Sequence, residues 1–230
     1  MEWYRRKLMD SLDFMEGFLK DQIPAWRLQK EHPKSLVGPV ITVSRQTGCG
    51  AEAIVQRIAK ELGLTLYNWE IVEQIAKDAH VSEQVVSTLD EKDQSALNDW
   101  LTSFEGNQGL SSYRYWECLR KVVFTIAAHG NAVILGRAGN FLLPPGKKLG
   151  LCLVAPLDVR VKNVIEKLGL SEKQAQEHIA KTEWEHRLLV RKYFLTDIGD
   201  ATHYHITINT DVVKPETIVE IVKVMLKSLN

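Results

Sequence analysis

The stretch that most constrains the fold runs from Ile41 to Glu61, ITVSRQTGCGAEAIVQRIAKE. A β-branched run, Ile41-Thr42-Val43, leads into a loop with Gly48 and Gly50, and Ile54, Ile58 and Leu62 follow at helical spacing with Ala59 on the same side. Strand, glycine loop and helix in that order build an anion site. The N–H groups at the helix start point outward, the helix dipole favours negative charge there, and glycine lets a phosphate come close to the backbone. P-loop proteins hold nucleotide phosphates this way. By that standard the loop is incomplete. The lysine and the Mg²⁺-binding hydroxyl of GxxxxGK[ST] are missing, and the helix opens on Ala51-Glu52-Ala53. An ordinary strand-to-helix turn that needed flexible residues is the competing account.

At 230 residues, 45% hydrophobic and 25% charged, the chain has the length and composition of one large or two small globular domains. Lys+Arg and Asp+Glu both number 29, which argues against a nucleic-acid coat or a polybasic membrane binder, so neither partner is expected. Cys49, Cys118 and Cys152 have no paired spacing, which suggests a reducing compartment and offers no zinc ligand set. The opening MEWYRRKLMDSLDF lacks the apolar centre of a signal peptide, and no apolar run reaches the ~20 residues that span a membrane. A cytoplasmic location is expected.

Leu8, Leu12, Met15 and Leu19 predict an amphipathic helix over 3–20, broken at Pro24. This N-terminal extension, 1–36, precedes the main domain, 37–230, and either packs on it or offers a homodimer contact. Further strands are expected at Leu64–Tyr67, Ala132–Leu135, Leu149–Val154 and Tyr204–Ile208. Helices are expected at Asp158–Leu168, from a Ser171/Gln174 capping box, and from Pro215, with a mostly helical polar region from about 70 to 130. Short apolar strands alternating with helices predict a parallel α/β sheet covered on both faces, with ligands at the carboxyl ends of the strands. Three segments fall there: Arg45–Gly50, Asn68–Glu70 and Gly136-Arg137.

Arg187 and Arg191 share a helix face, where two guanidiniums repel unless an anion lies beside them. Glu183, four residues before Arg187, allows a plain surface ladder of Glu183, Arg187 and Arg191; the functional reading is a pair of arginines closing over transferring phosphates. The irregular TDIGDATH that follows suits a lid. Arg137, after a strand and a glycine, can bind a phosphate bidentately or pair with a carboxylate. His203 and His205 alternate on one strand face, but no third metal ligand is placed near them. Tyr113, Tyr115 and Trp116 read as packing, with base stacking as the lesser alternative.

The runs VSRQTGCG, AAHGNAVILGRAGNFLL and EHRLLVRKYF…DATHYHITINT together resemble the cytidylate-kinase-like family, within the P-loop nucleoside monophosphate kinases, from about Pro39 to Leu229. The resemblance implies a three-layer P-loop kinase fold with a parallel five-stranded sheet. It also implies a helical NMP-binding insertion over about 70–130 and a helical lid over about 181–203. It implies phosphoryl transfer from ATP, with Mg²⁺, to a nucleoside monophosphate, CMP or dCMP first. Arg45, Gln46, Gly48, Cys49 and Gly50 match the cofactor-binding loop, and Arg137, Arg187 and Arg191 the catalytic arginines. Glu52 sets negative charge beside the loop, and Asn68 and Ala138 stand where acidic residues are expected, so no protein metal ligand is identified. A non-catalytic nucleotide or phosphate sensor is the alternative. Cys49, between the loop glycines near a helix start, is expected to have a lowered thiol pKa and to be protected by ATP.

Overall fold

A computed structural model describes residues 17–31, 38–102, 110–136, 138–144, 146 and 148–228. They begin with a π-helical turn, Phe18–Gln22, then helix α1 (Ile23–Glu31), strand β1 (Val40–Arg45), α2 (Ala51–Leu62) and β2 (Thr65–Asn68). Four helices follow: α3 (Trp69–Lys77), α4 (Ala79–Val86), α5 (Glu91–Thr102) and α6 (Leu110–His129). Then come β3 (Ala132–Leu135), β4 (Leu149–Val154), α7 (Leu157–Leu168), α8 (Glu172–Phe194), a 3₁₀ turn (Ala201–His203), β5 (Ile206–Asn209) and α9 (Pro215–Ser228).

The strands form one five-stranded sheet in the order β2-β3-β1-β4-β5. β1 pairs in parallel with β3 and β4, and β4 with β5. The sequence run 40–44 is buried throughout, its polar Thr42 and Ser44 included, as a strand covered on both faces must be, and Arg45 is the first partly exposed residue of β1. The carboxyl end of the central strand is therefore where polar side chains first reach open space.

The chain divides into two compact units. The sheet unit comprises 39–66, 131–141 and 145–230. Its core joins Ile41, Val43, Val133, Leu151 and Leu153 of the strands to Ile54, Val55 and Ile58 of α2 and to Ile218, Val219 and Val222 of α9. The i, i+4 repeat on each helix is what turns those residues to the sheet. α7 and α8 meet through Val161, Val164, Ala175 and Ile179. The capping box is formed: Ser171 and Gln174 satisfy each other's backbone N–H groups and start the 23-residue α8.

The helical unit comprises the residues up to Gly38, Tyr67–Gly130 and Leu142–Pro144. Its interior also takes in polar groups. Leu89, Leu97, Phe124 and Ala128 form one cluster, and Trp116 is buried while Tyr115 is half-buried. The side chain of Tyr113 lies outside the described residues. α1 packs within this unit: Trp26 stacks on His129 at 4.4 Å with 8° between the rings, and Lys30 donates to the Ser87 carbonyl at 2.9 Å. The Thr88 hydroxyl donates to the Val85 carbonyl at 2.6 Å and lies 2.7 Å from His129 Nε2. Its one proton is thus spent, so Nε2 of His129 is the donor in that contact. Burial pushes the His129 pKa down to about 4.

Several expectations shift. Pro24 does not break a helix; it is the second residue of α1, where a missing N–H costs nothing. Most of the helix expected over 3–20 lies outside the described residues. β5 starts at Ile206, not Tyr204, so His203 and His205 do not share a strand: His203 closes the 3₁₀ turn. Among the described residues no three His, Cys, Asp or Glu could hold a metal, and no helix is long and apolar enough to cross a membrane.

Candidate active site

The loop after β1 is clipped at its start to the end of β4. Gln46 donates its N–H to the Leu153 carbonyl at 3.0 Å, and its side-chain oxygen accepts from the Ala155 N–H at 3.0 Å. Gly48 and Gly50 both have positive φ, +86° and +78°. Their needs differ. A Cβ on Gly48 would lie 2.6 Å from the Arg160 carbonyl oxygen, so the loop packs on α7 only because that atom is missing. A Cβ on Gly50 would meet nothing within 4 Å; only the left-handed backbone asks for glycine there.

Two side chains hold the loop carbonyls. Asn163 donates to the Gly48 carbonyl at 2.8 Å and Thr210 to the Cys49 carbonyl at 2.7 Å. In a trans peptide the C=O and the following N–H point in opposite directions. These clamps therefore turn the N–H groups of Cys49 and Gly50 away from themselves. The Cys49 N–H closes a turn on the Gln46 carbonyl at 3.2 Å. The N–H groups of Gly48 and Gly50 have no partner among the described residues, and Gly50 is the N-cap of α2. Unspent N–H groups at a helix start are what an anion site requires.

A cavity of about 140 Å³ opens beside this loop. Its lining includes Ser44, Arg45 and Gln46 from β1 and the loop, Glu183, His186 and Arg187 from α8, and Gly199 and Ala201 beyond it. Of the residues singled out in the sequence, the fold thus brings Arg45, Gln46 and Arg187 to one cavity. Arg187 is exposed, with Nε 3.9 Å from Asp197 Oδ1. Arg191 follows one turn later on α8, exposed and off the lining. Arg137 lies outside the described residues.

Three charge and polarity readings change. Glu183 does not form a ladder with Arg187; its Oε1 takes Arg160 Nη1 at 2.6 Å and the Thr47 N–H at 3.2 Å. The exposed charge of Glu52 is met by an ion pair with Lys167. Cys49 is only 3% exposed and belongs to the sheet core. Desolvation raises its pKa, outweighing hydrogen bonds from Ala51 and Gln46. The expectation of a lowered thiol pKa is therefore reversed: the side chain is buried in the core, and the backbone of Cys49 belongs to the loop. Burial likewise pushes Cys152 up to about 11.

Arg160, Asn163 and Thr210 were not legible as site residues. They sit 110 or more positions from the loop carbonyls and N–H groups they serve, and local spacing carries no signal for such contacts. Asn140 is similar. It accepts from the Thr42 hydroxyl at 3.1 Å and donates to the His203 carbonyl at 2.8 Å, tying β1 to the 3₁₀ turn before β5. Gly150 leaves room for it: a Cβ there would lie 2.5 Å from Asn140 Oδ1. Asn68, expected near the ligand crevice, instead caps α3 by accepting the Ile71 N–H at 3.1 Å.

A family model described as the cytidylate kinase-like family matches residues 40–212. The chain is 26% identical over 188 residues to a cytidylate kinase of Ignicoccus hospitalis, covering 81% of this chain and 98% of the relative. It is 29% identical over 192 residues to a cytidylate kinase of Pyrococcus horikoshii, covering 83% and 90%. A solved structure of an uncharacterized protein from Eubacterium ventriosum matches with a TM-score of 0.57 at 18% identity, over 83% of this chain and 99% of that one, which is a likeness of fold. The glycine loop on the central strand, the five-stranded sheet and the family match agree: the chain belongs to the cytidylate kinase-like family and has the fold of the P-loop kinases.

Proposed function

We propose that this protein is a nucleoside monophosphate kinase that moves the γ-phosphoryl group of ATP to a small phosphate acceptor, with CMP and dCMP as the first acceptors to test. The observation that carries the reading is the cavity where Arg45 and Gln46 of the loop meet Arg187 of α8. A loop built to bind phosphate and a lid cation at the same cavity suit phosphoryl transfer, whose catalysis is mostly positioning and charge neutralisation. Relatives named cytidylate kinase, at 26% and 29% identity over most of the chain, support the acceptor class.

In this reading Arg45 and the N–H groups of Gly48 and Gly50 hold the ATP phosphates, and Gln46 and the Cys49 backbone shape the loop. Arg137 holds the acceptor phosphate. Arg187, with Arg191 behind it on the same helix, neutralises charge on the transferring group. An oxygen of the acceptor phosphate, already anionic, forms a bond to the γ-phosphorus. The bond from that phosphorus to the β–γ bridging oxygen breaks, ADP leaves with the electron pair, and no protein nucleophile is needed. The cavity lining offers one carboxylate, Glu183, already bound to Arg160 and Thr47. The described residues therefore do not fit a protein cage for Mg²⁺.

The test is an assay of ADP formation with ATP and each of CMP, dCMP, UMP, AMP and GMP. Turnover is expected with a preference for CMP or dCMP. Tight ATP binding without turnover on any acceptor rejects the kinase and leaves a nucleotide sensor.

A further inference from the structure

The contact between α8 and the phosphate loop has the wrong sign for a site that receives anions. Glu183 Oε1 lies at the focus of two donors, the Thr47 N–H at 3.2 Å and Arg160 Nη1 at 2.6 Å. Arg160 is itself fixed in place, because its Nε donates to the Ala155 carbonyl at 3.0 Å and its side chain is 8% exposed. A guanidinium so buried needs an anionic partner at all times. A backbone N–H of the phosphate loop and a buried guanidinium converging on one oxygen form an oxyanion receptor, and a carboxylate of the protein fills it. The neighbouring cavity of about 140 Å³ is below the ~300 Å³ at which sites for whole small ligands begin. It has room for a phosphate group but not for a nucleotide while α8 is drawn onto the loop.

We propose that the Thr47 N–H and the Arg160 guanidinium bind one phosphate of the nucleoside triphosphate donor, and that Glu183 occupies this receptor as an internal counter-anion until the donor displaces it. The proposal rests on the phosphate-binding reading of the loop and adds what fills the site beforehand. A triphosphate competes well for these donors. It carries more charge than a carboxylate, and arginine holds phosphate bidentately. Displacement frees Glu183 from the loop and lets the segment of α8 that carries Arg187 re-seat on the bound phosphates, so donor binding and the placing of Arg187 are one event. The chain then has a lower apparent affinity for the donor than its loop alone could provide, because part of the donor's binding free energy goes into displacing Glu183.

The probe is inorganic tripolyphosphate, which has no base or sugar, titrated calorimetrically into the full chain alongside ATP. Glu183→Gln keeps the shape and one acceptor oxygen but removes the charge. The variant is expected to bind both probes about tenfold more tightly or better, as when a latch closed ~90% of the time is removed. Unchanged or weaker binding in folded Glu183→Gln overturns the proposal, and a fall in melting temperature without tighter binding marks Glu183 as only a structural ion pair. If the variant does not fold, the wild type decides: carbodiimide labelling of the Glu183 carboxyl should rise when tripolyphosphate binds, and equal labelling overturns the proposal. Equal ATP binding by wild type and variant removes this inference and leaves the kinase reading. Absence of binding to either removes both.

Discussion

The two units differ in how they use polar groups. The sheet unit has an aliphatic core that also takes in Thr42, Ser44, Asn140 and Arg160, and its polar side chains gather around the loop after β1, which Gln46, Arg160, Asn163 and Thr210 organise. The helical unit buries Ser82, Thr88, Thr125, Arg120 and His129, away from the glycine loop. In the sheet unit polar side chains shape backbone so that N–H groups are left for a ligand. In the helical unit Thr88 and Thr125 are spent on helix carbonyls, Thr88 also meets His129, and Trp26 stacked on His129 fixes how helices meet. The first arrangement predicts sensitivity in activity, the second in folding and pH.

The largest expected effect is catalytic. Arg187→Ala should lower kcat about a thousandfold with little change in ATP affinity, measured by turnover and by calorimetry in parallel. Arg191→Ala made beside it asks whether the arginine off the cavity lining also acts; if α8 carried only surface charges, both changes would leave kcat alone.

Next come the loop glycines, which pit packing against backbone conformation. Gly48→Ala forces a Cβ against the Arg160 carbonyl as well as a left-handed backbone, and should cost about 3 kcal/mol in denaturant unfolding. Gly50→Ala meets only open space, and should cost about 1 kcal/mol. Equal costs would mean that the Gly48 contact with α7 is not what the glycine serves.

The helical unit is tested by pH. His129 is held down to about 4 by burial, below the ordinary 6.5. A folded pKa below the unfolded one means that the unfolded chain takes the proton first. The stability from neutral His129 is therefore complete above pH 6.5 and is lost as pH falls from there toward 4. The full span corresponds to about 3 kcal/mol. Unfolding of wild type and His129→Gln at pH 7.5 and 4.5 should show the wild type losing more; parallel losses would remove His129 from the account.

The smallest effect separates loop shape from ligand contact. Thr210→Val removes the hydroxyl that holds the Cys49 carbonyl. It should cost about 1 kcal/mol of stability and weaken ATP binding a fewfold by calorimetry, since the N–H of Gly50 is no longer aimed. A change in stability with ATP binding intact would make Thr210 a brace of β5 only.

Local patterns determined much of this protein. A short continuous apolar run closed by a glycine or a proline reads as a buried strand, so β3 and β4 were legible to the residue. The Ser171/Gln174 box and Pro215 named their helix starts because capping is decided within four residues. The glycine loop pointed to an anion site for the same reason. Tertiary structure alone decided which groups serve that loop. Spacing on α8 paired Glu183 with Arg187, but the fold gave it to Arg160 and Thr47. Position in the loop suggested a reactive Cys49, but packing turned the thiol into the core. Two glycines that read alike in sequence serve different ends, because only one lies against a backbone carbonyl 112 residues away. Periodicity and capping act over a few residues and are written locally. Charge pairing, desolvation and close packing depend on what arrives from elsewhere in the chain, and that exists only once the sheet has brought its strand ends together.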